Sequence, residues 1–123
     1  MPDQITITLP REHDLYPVLH LVVGGLAARL DLTLEHLEDL QIALDGLLPH
    51  GSGPEATVVL RLDDGAIHAR VGPFEGDVLS RQLESETDLI GLRRLLETVA
   101  SAYRVVAREE LEWVELTKET GPH

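Results

Sequence analysis

One predicted helix carries the side chains with the clearest capacity for chemistry, a set of carboxylates followed by a histidine. Clustered carboxylate oxygens could hold a cation, and His50 at the helix end has the best claim to function among the histidines. The same spacing is typical of the solvated face of a helix, and that interpretation is favoured. His50 is likewise explained by a favourable interaction with the helix C-terminal dipole. The carboxylates are those of Glu35, Glu38, Asp39 and Asp45.

The other candidates for metal or nucleophilic chemistry lack the spacing that such sites need. Two histidines four residues apart would share one helical face, as many zinc sites require. No such pair occurs, the chain has no cysteine, and no serine lies in a nucleophile-elbow sequence. Neither a P-loop nor a dinucleotide-binding glycine motif is present. We therefore expect no metal site, and surface or capping roles for His13, His20, His36, His50, His68 and His123.

Composition is typical of an acidic globular protein. The 123 residues are 43% hydrophobic and 26% charged, with a net charge of −12. Nucleic acid and anionic membranes would repel this charge, so neither is expected as a partner, whereas a basic protein partner is compatible. No segment approaches membrane-spanning length and no signal-peptide pattern begins the chain, so a cytoplasmic location is expected. We expect one domain over residues 1–123, with its core at about 4–118.

The first half of the chain reads as a strand followed by two helices. Residues 4–9 alternate polar and apolar, which predicts a half-buried strand. Asp14 then caps a helix whose predicted apolar stripe includes Val18 and Val22 beside Leu19 and Val23. Gly24-Gly25 in mid-helix predicts close packing of another backbone. The second helix begins near Thr33, which is predicted to be its N-cap, and ends near Pro49 and Gly51, with its leucines along one stripe.

The second half reads as a hairpin, a helix and a strand. Residues 57–71 alternate around a turn at 63–65, and the glycines and proline of 72–76 predict a loop. A third helix begins at Thr87 or Asp88 with a stripe that extends to Tyr103, and residues 109–118 form the last strand. This order predicts an α+β fold, a two-layer α/β sandwich with three main helices on one face of a mostly antiparallel sheet.

Three short segments, in this order, resemble motifs of the GHKL (Bergerat-fold) ATPases. Residues 40–45 (Leu-Gln-Ile-Ala-Leu-Asp) resemble the start of that family's nucleotide helix. Residues 71–74 (Val-Gly-Pro-Phe) stand where the family carries its adenine-contacting loop, and residues 88–92 resemble its second glycine motif. The chain is most similar to the small anti-sigma-factor serine kinases of the RsbW/SpoIIAB type. The resemblance implies a histidine-kinase ATPase-like fold that forms homodimers through the first strand and first helix.

The same resemblance implies a catalytic pair that this sequence lacks. The family uses a helical Glu to activate the attacking group and, four residues later, an Asn that helps to hold Mg²⁺. Four residues is about one helical turn, so both side chains would face the nucleotide. The chain contains no Asn, and no register supplies the pair. Three registers are possible. The residues at the Glu and Asn positions are Gly46 and His50 in the first, Asp45 and Pro49 in the second, and Ile42 and Gly46 in the third.

The adenine position departs from the family as well. An Asp there would accept the adenine amino proton, but Arg70 or Val71 stands where it should precede Gly72, and Arg can only donate. We therefore predict no catalytic residue, with Asp45, Gly46 and His50 as degenerate positions, and weak or absent binding of ATP and Mg²⁺. The vestigial pocket implied by the resemblance consists of Asp45, His50, Gly72, Phe74, Gly91 and Arg93.

These departures favour a regulatory protein over an enzyme. The expected function is non-catalytic regulation resembling that of anti-sigma factors, through binding of a sigma factor or a STAS-type antagonist, with a homodimer as the expected assembly. One alternative is a functional ATP-binding serine kinase with atypical nucleotide ligands. The other is an accessory domain with no sigma-factor role.

Overall fold

The computed structural model of the chain describes residues 3–29, 32–51, 53–63, 65–76, 79, 81 and 92–119. The strands are β1 (Asp3–Pro10), β2 (Glu55–Asp63), β3 (Ala66–Glu75), β4 (Ala102–Arg108) and β5 (Leu111–Glu119). The helices are α1 (Tyr16–Arg29), α2 (Leu34–Leu47) and α3 (Leu92–Val99). Short 3₁₀ turns cover His13–Leu15 and Leu48–His50.

The strands form one sheet in the order β1-β2-β3-β5-β4, and every neighbouring pair is antiparallel. Side chains alternate between the two faces of each strand, so an apolar residue at every second position builds one buried face. The helices pack against that face. The predicted α+β class and the antiparallel sheet are confirmed for the described residues. The buried face is formed by Val58, Leu60, Ala69, Val71, Val114 and Leu116.

Helix α2 contacts both other helices and contributes the centre of the core. The Thr33 hydroxyl accepts a hydrogen bond from the His36 backbone N–H at 3.1 Å, which confirms the predicted cap. Leu44 and Leu47 are fully buried, as the leucine spacing predicts. None of the described helices is long and apolar enough to cross a membrane.

The stretch that follows α3 is a strand, and the prediction that the third helical stripe extends to Tyr103 is wrong. Helix α3 ends at Val99, and Tyr103 lies in β4, where it pairs with Leu116 of β5. The turn of this β4–β5 hairpin places Glu109 and Glu110 at φ of 52° and 68°. Positive φ normally favours Gly, Asn or Asp, so two glutamates give no hairpin signal in the sequence. The predicted start of the helix lies outside the described residues.

Residues 72–76 were predicted to be a loop, and this prediction is also wrong, because β3 continues through Glu75. The register against β5 shifts between Val71 and Phe74, which marks a β-bulge, and the Gly72–Pro73 peptide is cis. Proline cannot donate a ladder hydrogen bond and is tolerated at such an irregularity. The bulge brings Phe74 into the core, where it is fully buried.

Helix α1 has a different buried face from the one predicted. Leu19 and Val23 are buried as expected, but Val18 and Val22, which the prediction also placed on the buried stripe, are 51% and 39% exposed. The predicted close packing at Gly24-Gly25 is not seen among the described residues, because none of their atoms outside the helix backbone lies within 4 Å of a Cβ placed at either glycine. One side of α1 therefore exposes the apolar side chains of Val18, Leu21 and Val22.

Candidate functional site

Gly46, which the sequence analysis predicts to be a degenerate catalytic position, lies at the contact between α2 and α3. A Cβ placed on Gly46 would overlap Leu95 Cδ2 and lie 3.7 Å from Leu92 Cδ1. Leu92 belongs to the buried core and Leu95 packs against it. The space into which a side chain at position 46 would project is thus occupied by apolar atoms of α3. A carboxylate placed there would require Leu95 to move and would lose part of its hydration.

Asp45, the neighbouring residue that was also predicted to be a degenerate position, contacts α1. Its Oδ1 lies 2.8 Å from His20 Nε2, and both side chains are partly exposed. Asp45 and Pro49, the pair given by the second register, also line a cavity of about 410 Å³ beside Tyr16 and His20. An exposed contact between two polar side chains of this kind contributes little to stability. It does hold the Asp45 carboxylate on the α1 side of α2, away from the Gly46–Leu95 contact.

Gly72 and Phe74 are separated by the β3 bulge and lie on opposite faces of the sheet. Phe74 is fully buried on the helix side. Gly72 lies on the other side, where an added Cβ would be 2.7 Å from the ring of Trp113. Gly72 therefore permits the close approach of the indole. Phe74 would have to leave the core in order to contact a nucleotide.

The remaining predicted pocket residues have separate surroundings. Arg93 is exposed on α3, near enough to Tyr103 to influence its ionisation. Burial raises the pKa of Tyr103 and Glu97 raises it further, whereas Arg93 acts in the opposite direction. His50 is half-buried in the 3₁₀ turn after α2, and Gly91 lies outside the described residues. The structure thus brings Asp45 and Pro49 to one cavity but places Gly46, Gly72, Phe74 and Arg93 against different neighbours.

Arg11 is a partly buried cation that the sequence analysis did not single out. Its Nη1 donates a hydrogen bond to the Leu48 carbonyl at 2.8 Å, and its Nη2 donates to the Pro73 carbonyl. The guanidinium lies 5.3 Å from the centre of the Phe74 ring, a cation–π distance. Burial lowers the pKa of Arg11. This side chain connects the end of β1 to the end of α2 and to the β3 bulge.

Gly51 is required for the placement of Arg11. A Cβ at Gly51 would overlap the Arg11 guanidinium, so any other residue there would displace it. The Arg11 backbone N–H also donates to the Pro54 carbonyl at 3.0 Å. The hydrogen bonds of Arg11 join segments that are distant in sequence. No local sequence pattern around Arg11 indicates these hydrogen bonds.

Among the described residues, no group of three or more histidine, aspartate or glutamate side chains is arranged to hold a metal ion. No protein-family model matches the chain, and no curated protein matches it. The functional argument therefore rests on the residues and contacts described above.

Proposed function

We propose that the chain is a non-catalytic regulatory protein of the anti-sigma type, which acts by binding a sigma factor or a STAS-type antagonist. The observation that carries the proposal is the contact between Gly46 and Leu95. In the family that the sequence resembles, a helical glutamate activates the attacking group, and the first of the three possible registers places that glutamate at position 46. Here the position has no side chain, and an apolar side chain of α3 fills the adjacent space.

The surroundings of Asp45 and Phe74 support the same proposal. Asp45 is the carboxylate nearest in sequence to the missing glutamate, and it is turned toward His20 of α1. Phe74 belongs to the core and contacts Arg11 instead of an open cleft. Use of these residues in nucleotide chemistry would require rearrangement of both the α2–α3 contact and the β3 bulge.

The exposed side of α1 supports self-association as part of this function. Val18, Leu21 and Val22 are exposed at 51%, 77% and 39%, and they lie on one side of the helix. β1 is at the edge of the sheet and pairs only with β2 among the described strands. Exposed apolar patches and edge strands both favour association, and a twofold dimer would cover the same patch on each copy.

We expect the purified chain to sediment as a homodimer at high micromolar concentration and Leu21→Asp to sediment as a monomer. A carboxylate at position 21 would be buried without a partner in the proposed interface. The matched control is Leu34→Asp, on α2, where the leucine is 68% exposed; this variant should remain dimeric. A wild-type chain that is monomeric throughout the concentration range would contradict the proposed assembly.

Partner binding without nucleotide is the direct functional test. The chain should form a complex with a sigma factor or a STAS-domain protein from its own organism in the absence of ATP, as measured by surface plasmon resonance. Addition of ATP and Mg²⁺ should leave the affinity unchanged, because the proposed mechanism includes no nucleotide step. A complex that forms only with ATP would favour the kinase alternative. Failure to bind any member of either class would remove the anti-sigma assignment.

A further inference from the structure

The face of the sheet opposite the helices contains a cavity of about 490 Å³ with an unusual concentration of positive charge. Three arginines and one glutamate contribute to its lining, which gives a formal charge of +2 before any protonation of His68. The chain as a whole carries −12. Antiparallel sheets commonly leave one face exposed to solvent. With this overall composition, an average exposed face would carry a net negative charge. We call this cavity the basic cavity; the residues of its lining that matter for the argument are Arg61, His68, Arg70, Arg104, Glu115 and Thr117.

Strand register, not sequence proximity, assembles the basic cavity. Arg61 of β2 is opposite His68 of β3, which in turn is opposite Thr117 of β5. Directly opposed residues in antiparallel strands have Cβ atoms about 4.5–5.5 Å apart. The His68 Nδ1 and Thr117 Oγ1 atoms are 3.4 Å apart. One row of the cavity therefore offers a guanidinium, an imidazole and a hydroxyl side by side.

The neighbouring row supplies the other two guanidinium groups. Arg70 of β3 is opposite Glu115 of β5, which is opposite Arg104 of β4. Arg104 Nε lies 2.6 Å from Glu115 Oε1, so the single carboxylate of the cavity is paired with Arg104. Arg70 also lies over the ring of Trp113 at 5.8 Å from its centre. Stacking on a ring occupies the face of a guanidinium but leaves its in-plane N–H groups directed outward.

The size of the basic cavity and the charges around it decide what kind of anion fits. The volume lies within the usual range for small-molecule sites, about 300–1,000 Å³. Glu55 and Glu119 are exposed at opposite ends of the sheet, on β2 and β5. A long polyanion would extend from the cavity toward these carboxylates, and both they and the net charge of −12 of the protein would repel it. A compact anion within a Debye length of the arginines, about 8 Å at physiological ionic strength, avoids most of that repulsion.

We propose that the basic cavity binds a small phosphate monoester. Arginine forks bind phosphate oxygens through paired N–H donors. A planar carboxylate can be bound by the two N–H groups of a single arginine. A tetrahedral phosphate has oxygens in several directions, so it is better suited to donors that come from four adjacent strands. The proposal is independent of the regulatory function, since no partner contact has been assigned to this face of the sheet.

Trp113 provides the experimental signal, because it is the only tryptophan in the chain and it stacks against Arg70. The wild-type chain is titrated with methyl phosphate and, separately, with inorganic phosphate, while sodium chloride keeps the ionic strength constant. The proposal predicts a saturable change in Trp113 fluorescence with both probes. A change that is linear in concentration, or that equimolar chloride reproduces, would overturn it.

Variants locate the binding site. Arg61→Gln and Arg104→Gln should each weaken phosphate binding at least about tenfold, as expected when one charged hydrogen bond is lost. Arg94→Gln, on the exposed side of α3, removes the same charge elsewhere and should leave the affinity unchanged. Thermal unfolding verifies that each variant is folded. If one of the two cavity variants does not fold, the other is sufficient for the test. Equal affinities in all three variants would contradict the proposal. Tighter binding of a single-stranded oligonucleotide than of methyl phosphate would also contradict it.

Discussion

Phe74→Ala is expected to lower the free energy of unfolding by about 3–5 kcal/mol, the usual cost of truncating a buried aromatic residue. Phe74 is fully buried, and its ring lies under the Arg11 guanidinium. Truncation would open a cavity between the β3 bulge and the end of α2. Domains of this size are stable by only about 5–15 kcal/mol, so the variant should unfold at a much lower urea concentration.

The control for this prediction is Arg93→Ala, another member of the predicted vestigial pocket that is exposed on α3. Surface substitutions of this kind usually change stability by less than about 0.5 kcal/mol. Urea denaturation followed by circular dichroism measures both variants. A loss below about 1 kcal/mol for Phe74→Ala would show that the ring is not in the core and would return it to the candidate nucleotide pocket.

Arg11→Ala is expected to cost about 2–4 kcal/mol, because two backbone carbonyls would lose a charged donor. Arg11 donates to the Leu48 and Pro73 carbonyls, at the end of α2 and at the β3 bulge. Without it, water would have to solvate both oxygens in a partly buried position. The loss of cation–π contact with Phe74 adds to the destabilisation.

The conservative variant Arg11→Lys separates charge from geometry. A lysine ammonium is a point charge that cannot reproduce the planar fork, so it should recover only part of the lost stability. Chemical denaturation of the two variants beside the wild type measures the difference. Full stability of Arg11→Ala would show that the connection between β1, α2 and β3 does not contribute to the fold.

Local sequence patterns predicted the elements whose signals are complete within a short segment. Helix α2 has a capping threonine, leucines at helical spacing and Pro49 at its end, and the β2–β3 hairpin has strict alternation around its turn. β4 was missed because Leu92, Leu96, Val99 and Tyr103 have helical spacing, while only pairing with β5 makes Tyr103 a strand residue. The continuation of β3 through a Gly-Pro sequence likewise depends on the burial of Phe74 among distant residues.

The candidate sites were less predictable than the fold because their members meet only through tertiary structure. Asp45 pairs with a histidine 25 residues earlier, and Arg11 bonds to carbonyls 37 and 62 residues away. The three arginines of the basic cavity lie on three different strands, and the register of the sheet brings them together. The prediction that the catalytic pair is missing rests on the sequence alone, since the absence of every asparagine is visible without a structure.

Calorimetric titration of the chain with ATP and Mg²⁺ tests the non-catalytic assignment most directly. Each buried hydrogen bond that is lost without replacement costs roughly 1–3 kcal/mol, and each 1.4 kcal/mol is about a tenfold change in affinity. Absence of both the adenine contact and a metal ligand should therefore weaken binding by about two orders of magnitude or more. We predict no saturation at low micromolar ATP and no phosphate transfer to a STAS-type serine. A dissociation constant in the low micromolar range, or detectable transfer to that serine, would contradict the assignment and establish the kinase alternative.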